Sequence, residues 1–252
     1  MSWIITGSFA QPDEPEALAY IAAVEAADGE TLEDGVKFAY NSFIKGCKAD
    51  GIWDAIKASC ILAGARTLDG ALVPLAGTAP TNYNFVSGDY DRKTGLVGDG
   101  STKYLDSNRN NNADPQNSQH FSVFASVALD DASRYMGSGA STGSSTLGLA
   151  TSSLGFRSRN SSNFDTGIPI ANGFIGTSRT SSTNVNSRIS GSTASHSQTS
   201  NSPANGTIEV FRGVIAPTAS RFTFYSIGES LDLALLDARV TTLMSDLATA
   251  IP

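Results

Sequence analysis

Apolar residues recur at helical spacing in the first quarter of the chain. Residues 13–28 carry an apolar face after Asp13, which can cap the start of a helix. A second helix is predicted from Thr31 onward, because its apolar residues all fall on one face. A third is predicted for residues 52–63 from similar spacing. The apolar positions of the three segments are Leu18, Ile21, Val24, Val36, Tyr40, Phe43, Ile44, Cys47, Ile52, Ile56 and Cys60.

After residue 68 the pattern changes to a period of two. Short alternating runs are separated by Gly, Asn or Ser, which is typical of antiparallel strands and predicts a mainly β protein with a β-sandwich. Residues 120–129 are apolar on both faces, so we expect a central strand that is covered on both sides. The predicted strands are residues 83–87, 95–98, 102–105, 120–129, 134–137, 147–150, 154–158, 172–178, 185–190, 207–214 and 221–227.

Two stretches are dominated by small polar residues, 106–118 and 177–206. Their composition alone favours disorder. In the second stretch, however, Val185 and Ile189 alternate with polar residues, which predicts a polar hairpin at the edge of a sheet.

These patterns divide the chain into three parts. Residues 1–12 form an extended arm, 13–66 a helical region and 67–252 a β-sandwich. The sandwich is closed by an amphipathic helix at 229–251, which Ser230 can cap.

The charge of the chain argues against several classes of partner. Only 16% of its 252 residues are charged, and the net charge is −7. Because no run of Lys or Arg is present, we do not expect nucleic-acid binding.

No apolar run approaches the roughly 20 residues that a membrane helix needs. The N-terminal stretch lacks the basic region of a signal peptide, so we expect synthesis in the cytoplasm without secretion.

The cysteines and histidines offer little catalytic chemistry. Cys47 and Cys60 form either a disulfide or redox pair or, as we favour, two small buried hydrophobes on helices. His120 and His196 lie among Ser, Gln and Asn, which suggests solvated positions and no Ser-His-Asp triad.

Several segments together carry a family resemblance. The chain resembles bacteriophage virion structural proteins with a concanavalin A-like lectin/glucanase domain of the laminin G type. The resemblance covers residues 40–105 and 207–252. The segments that carry it are Phe43-Ile44, Lys48-Ala-Asp-Gly-Ile-Trp-Asp-Ala-Ile56, Ile61-Leu-Ala63, Gly95-Leu-Val-Gly-Asp-Gly-Ser-Thr-Lys-Tyr-Leu105 and Phe224-Tyr-Ser-Ile-Gly-Glu-Ser-Leu231.

The resemblance implies a concanavalin A-like jelly-roll β-sandwich and a non-enzymatic role in the virion. Such a protein would be made in the host cytoplasm and exposed on the particle, as a tail fibre or spike, a head appendage or a capsid decoration. It would contact other virion proteins and copies of itself, with a trimer as the expected assembly.

Glycan binding is the alternative function, as a receptor-binding module for host surface sugars. Sugar sites combine exposed aromatic rings with polar side chains, and Tyr83, Tyr90, Tyr104 and Asn108 provide both. A glycan hydrolase would need a pair of carboxylates, and Glu209 stands alone in its segment. We therefore do not expect an enzyme.

Metal binding and assembly each have candidate residues. Calcium is possible at loop aspartates near the front strands, although ordinary Asp–Gly turns explain the same residues; otherwise no cofactor is expected. These aspartates are Asp89, Asp91, Asp99 and Asp106.

The N-terminal arm is apolar without a helical period, so we expect it to dock either on a neighbouring subunit or on its own domain. Its apolar residues are Trp3, Ile4, Ile5 and Phe9.

Overall fold

The computed structural model describes residues 11–131, 133–149, 153–213 and 217–252. In this part of the chain, long helices lie at the two ends and strands between them. No helix among the described residues combines the length and apolarity that a membrane crossing needs. The helices are α1 (Pro15–Asp28), α2 (Asp34–Ala49), the single turn α3 (Leu68–Ala71) and α4 (Leu233–Ala250).

The strands form two antiparallel sheets, which confirms the predicted mainly β sandwich with flanking helices. The described strands are β1 (Ile56–Ile61), β2 (Thr81–Tyr83), β3 (Tyr90–Asp91), β4 (Gly95–Val97), β5 (Tyr104–Asn110), β6 (Gln119–Val127), β7 (Arg134–Gly137), β8 (Ser145–Leu149), β9 (Leu154–Ser158), β10 (Phe164–Asp165), β11 (Gly173–Arg179), β12 (Asn184–Ile189), β13 (Ser192–Ser197), β14 (Thr207–Val210) and β15 (Arg221–Gly228). In the described residues the first sheet runs β13-β12-β11-β6-β15-β4-β3, with β1 also paired to β15. The second runs β10-β9-β8-β7-β14-β5-β2.

The apolar side chains form two cores, one on each side of the first sheet. One core lies between the two sheets, where Tyr135 of the second sheet meets Phe222 of the first edge-on at 5.3 Å. The other lies between the first sheet and helices α1, α2 and α4, where Phe43 packs against Phe224 at 5.7 Å. The molecule is therefore three layers deep, with the first sheet in the middle.

The centre of the first sheet is the pair β6 and β15. As predicted, β6 is covered on both faces: Phe121 and Val123 face the second sheet, while Phe124 faces the helices. In β15, Phe222 faces the second sheet and Phe224 the helices, although residues two apart in a regular strand share a face. A register shift between these two residues supplies the change of face.

The predicted third helix, residues 52–63, is wrong over most of its length. Ile56–Ile61 is a strand that pairs with β15, preceded by one short 3-10 turn. Cys60 faces the second sheet and Ile61 faces the helices. Ile52, Ile56 and Cys60 are spaced four residues apart, so the apolar positions matched a helix as well as a strand that is buried on both faces.

Two predicted helix caps are also wrong. Glu14 precedes α1 without a capping side chain, and Asp13 instead pairs with Asn41 (3.0 Å) and Lys45 (2.5 Å) of α2. Asp232 caps α4, whereas Ser230 bonds to Ser118.

Both cysteines are buried and unpaired, as favoured, but Cys60 lies on a strand rather than on a helix. Burial raises the pKa of each thiol to about 12.

The histidines are not solvated as predicted. His120 is fully buried and His196 half-buried against Phe156 and Phe164. Alternation along the strands turned both rings inward despite their polar sequence neighbours.

Buried polar contacts order the two Ser/Thr/Asn-rich stretches. The guanidinium of Arg159 donates to the carbonyls of Pro115 and Asn111, and that of Arg179 donates to the carbonyls of Ser158 (2.6 Å) and Gln198 (2.8 Å). Both arginines are fully buried, and burial lowers their pKa to about 10. The predicted polar edge hairpin in residues 177–206 is confirmed as β12 and β13.

The burial of His120 predicts a pH dependence of stability. Its Nδ1 donates to the carbonyl of Glu229 (2.5 Å), so its Nε2 accepts from the Ser226 hydroxyl (2.7 Å). Burial lowers the pKa of His120 to about 4, below the ordinary value of about 6.5. Between these two pH values His120 is protonated in the unfolded chain but not in the folded chain. The free energy of unfolding therefore falls as the pH falls.

We expect the free energy of unfolding to drop by up to about 3 kcal/mol from this group as pH falls from about 6.5 to about 4. His120→Asn keeps a donor for Glu229 and removes the titration. Urea unfolding at several pH values should show a shallower pH dependence in the variant. Equal slopes for both proteins would contradict the assignment.

Candidate functional site

Two of the predicted aromatic residues stack on the outer face of the second sheet. Tyr83 of β2 lies directly opposite Tyr104 of β5 in the antiparallel register. Their rings are nearly parallel, with centroids 4.3 Å apart and an interplanar angle of 7°. Tyr83 is 40% exposed although it is a large aromatic residue. One ring face of Tyr83 is thus covered by Tyr104, which holds the ring in place.

Arg212 covers the other face of Tyr104. The centre of its guanidinium lies 3.6 Å from the ring centroid, which is cation–π geometry. Two guanidinium nitrogens donate to the Glu209 carboxylate at 2.6 and 2.5 Å. This ion pair raises the pKa of Arg212, and partial burial raises that of Tyr104. Tyr83, Tyr104 and Arg212, in this order, are called the tyrosine stack below.

A left-handed backbone at Phe211 places Arg212 on the stack. Glu209 faces outward and Val210 inward, so regular alternation would turn Phe211 outward. Its φ of 69° breaks the alternation, and its ring lies in the core against Phe85 and Phe222. A positive φ is strained for a bulky residue. Full burial of Phe211 holds this conformation and leaves the next residue, Arg212, free to cover Tyr104.

Polar groups lie beside the stack on the same strands. Asp106 accepts from the Asn108 N–H (2.8 Å) and the Thr207 hydroxyl (3.1 Å). Asn108 is exposed and donates to the Ala79 carbonyl (2.8 Å), which fixes its side chain beside β2. Of the four predicted sugar-binding residues, Tyr83 and Tyr104 are therefore in contact, and Asn108 lies on β5 four residues beyond Tyr104. Asp106, Asn108, Thr207 and Glu209 are called the polar rim.

Tyr90, the fourth predicted residue, points away from this surface. It is half-buried and packs against both cores, and its hydroxyl donates to the Ala65 carbonyl (2.8 Å). Burial raises the pKa of this hydroxyl above its usual range. Tyr90 thus serves the packing between layers, and we do not include it in the candidate site.

The structure brings together a carboxylate pair that the sequence did not reveal. Asp106 and Glu209 lie opposite each other in the pairing of β5 with β14. The two residues are far apart along the chain, and only the strand register makes them neighbours. Both oxygens of Glu209 accept hydrogen bonds from Arg212, and Asp106 accepts from Asn108 and Thr207. Neither carboxylate is positioned as a free acid or base.

The candidate calcium aspartates each accept hydrogen bonds from neighbouring protein groups. Asp91 accepts from the Thr94 and Lys93 N–H groups, and Asp89 binds Lys103 (2.5 Å). Burial would raise the pKa of Asp99, but the N–H groups of Lys103 and Thr102 hold it below its usual range. Across the described ranges, no three His, Cys, Asp or Glu side chains are grouped as a metal site. Calcium stays a prediction.

The predicted assembly residues Trp3, Ile4, Ile5 and Phe9 lie outside the described residues. Their docking on a neighbour stays a prediction from the sequence.

Comparison with known proteins gives distant structural likenesses only. The chain matches no protein-family model and no curated protein. It is similar to the crystal structure of the botulinum neurotoxin serotype D binding domain, with a TM-score of 0.49 and 13% identity over 75% of this chain and 51% of that one. It thus spans about half the length of that binding-domain chain.

A second likeness is to domain 4 of AbnA, an extracellular arabinanase from Geobacillus stearothermophilus, in complex with arabinotriose. The TM-score is 0.39 and the identity 15%, over 64% of this chain and 82% of that one. At these scores neither likeness carries a function to this chain.

The stacking geometry predicts measurable coupling between Tyr83 and Tyr104. A double-mutant cycle with Tyr83→Ala and Tyr104→Ala, measured by urea unfolding, should give a coupling energy of about 1 kcal/mol. Tyr83→Ala combined with Tyr90→Phe serves as the control and should be additive. Additivity in the first cycle would show that the two rings do not support each other.

Proposed function

We propose that this protein is a non-catalytic binding module and that it binds glycan on the tyrosine stack. The observation that carries the proposal is the exposed ring of Tyr83, held flat against Tyr104. A sugar ring has an apolar face of C–H groups that can lie on an aromatic ring. Its hydroxyls then need polar partners at the edge of that ring.

The stack is organised before a ligand arrives. Tyr104 lies between Tyr83 and Arg212, and Glu209 fixes Arg212 through two hydrogen bonds. A ring that is already ordered loses less side-chain entropy on binding, and this saving is of the order of 0.5–1.5 kcal/mol for each side chain. The strained backbone at Phe211 is consistent with a surface maintained for binding.

The polar rim supplies partners for sugar hydroxyls. Asp106 and Glu209 contribute carboxylate oxygens, and Thr207 contributes a hydroxyl next to them. Carboxylate and hydroxyl groups form directional hydrogen bonds with hydroxyl ligands. Arg212 balances the charge of Glu209, and Asp106 adds a second carboxylate to the rim, so we expect a neutral sugar to be preferred over an acidic one.

The same contacts support binding without hydrolysis. A glycosidase needs one carboxyl that can donate a proton and a second that can act as base or nucleophile. Glu209 is engaged through both oxygens by Arg212, and Asp106 by the Asn108 N–H of its own strand and by the Thr207 hydroxyl. These hydrogen bonds fix the two side chains on the surface, which favours a binding role over a catalytic role for both carboxylates.

The resemblance to phage structural proteins supplies the proposed setting. A module of this kind on the outside of a virion would recognise host surface glycan. The structural alternative, in which the module serves mainly in assembly, is favoured by a separate feature, the outer side of β13, with which none of the described residues pairs.

The test is sugar binding by the full chain. On an array of neutral and acidic oligosaccharides, we expect binding to neutral sugars, and Tyr83→Ala should weaken the affinity at least tenfold, about 1.4 kcal/mol. Leu18→Ala is the matched control, because Leu18 is 48% exposed but lies on α1 in the helical layer. Absence of binding by the wild type, or equal binding by Tyr83→Ala, would refute the proposal.

A further inference from the structure

The sheet edges of this molecule are not alike. In the described residues, β3 and β10 have two residues each and β2 has three. The outer side of β1 is bonded to Leu75–Ala76 through Ser59. In contrast, β13 is a regular edge strand of six residues, and none of the described residues pairs with its outer side.

The sequence of β13 lacks the usual protection of an edge. Natural edge strands are blunted by charged side chains, proline or bulges, because their free N–H and C=O groups invite another strand. Residues 189–202 contain no Asp, Glu, Lys, Arg or Pro. The pairing of β13 with β12 is regular from Asn184↔Ser197 to Ile189↔Ser192, without a bulge.

The register shows which backbone groups face outward. Ser190 and Gly191 form a two-residue turn with φ values of 43° and 91°, so Ser192 bonds back to Ile189. The N–H of Gln198 donates to the Thr183 carbonyl (2.8 Å), which continues the same alternation. Every second residue between Ser192 and Gln198 therefore points its N–H and C=O groups away from the sheet. These residues are Thr193, Ser195 and Ser197, and all three are exposed.

We propose that β13 pairs antiparallel with β13 of a second copy of this chain. In this arrangement Ser195 faces Ser195 across a two-fold axis, and Thr193 faces Ser197. Each outward N–H then meets an outward C=O, and the first sheets of two molecules become one continuous sheet.

Two features of this edge make a second copy its partner. An antiparallel strand pairing is self-complementary, so two identical edges satisfy each other. The chain has a net charge of −7, which repels a second copy over most of the surface, but residues 189–202 carry no Asp or Glu. Ser and Thr side chains at the contact also cost less free energy to desolvate than charged Lys or Glu side chains would. The inference does not depend on glycan binding.

The test is the molar mass of the full chain by light scattering. Wild type at about 100 μM should have twice the mass of the chain, in the affinity range of weak to moderate protein pairs. Ser195→Pro removes one outward N–H on each copy, and an edge strand tolerates proline where its N–H faces solvent. This variant should have the mass of a single chain.

Ser195→Ala is the matched control, because both variants lose the bond from the Ser195 hydroxyl to Asn184 (2.8 Å) but only proline removes the N–H. It should remain a dimer. Ser195→Lys is the second variant. It keeps the backbone and brings two ammonium groups together at the axis, so it should dissociate the dimer at low salt. Circular dichroism checks that each variant is folded.

Three results would overturn the inference. The first is a wild type with the mass of one chain. The second is a dimer that persists in both Ser195→Pro and Ser195→Lys. The third is a trimer, the assembly implied by the resemblance to virion proteins, because a two-fold pairing of β13 cannot produce it.

Discussion

The pairing of β6 with β15 is the contact on which the rest of this structure depends. These two strands form the middle of the first sheet and contribute apolar side chains to both cores. On one face they bury Phe121 and Phe222 against the second sheet, and on the other they bury Phe224 against α2. The register shift at Phe222–Phe224 is what allows one strand to serve both cores.

This three-layer arrangement leaves the second sheet to present the candidate site. Its inner face packs on β6 and β15, and its outer face carries the tyrosine stack near the β2 edge. Tyr83 and Tyr104 are held by strand register, and Arg212 is held by the break in alternation at Phe211. A surface fixed by a packed sheet moves less than one on a loop, which suits recognition without rearrangement.

The sequence predicted the elements whose pattern depends on one face only. The stripe of α2 and the amphipathic α4 are clear because each buries one side. The two-sided burial of β6 was also predicted, but β1 was taken for a helix because Ile56 and Cys60 are four residues apart. The burial of His120 was missed because alternation along the strand overrules the polar composition of its neighbours. Arg159 lies outside the first Ser/Thr/Asn-rich stretch that it orders, whereas Arg179 lies near the start of the second and reaches Gln198 near its other end. No local pattern could predict either contact.

The candidate site was predictable in its residue types but not in its geometry. The sequence suggested Tyr83, Tyr104 and Asn108 as sugar-binding residues, and the register of β2 and β5 brings Tyr83 and Tyr104 into contact, with Asn108 further along β5. It also suggested Tyr90, which the fold turns inward. Arg212 and the proximity of Asp106 to Glu209 were missed, because both depend on which distant strands become neighbours.

The central claim is that Tyr83 is the surface on which a sugar lies. The most direct measurement is an NMR titration of protein labelled at its seven tyrosines, with an oligosaccharide that the array selects and Tyr83→Phe used for assignment. If a sugar lies on Tyr83, the ring signals of Tyr83 should shift and then saturate, while those of the fully buried Tyr40 and Tyr135 should not change. An unchanged Tyr83 signal at saturating sugar would contradict the account and place binding elsewhere.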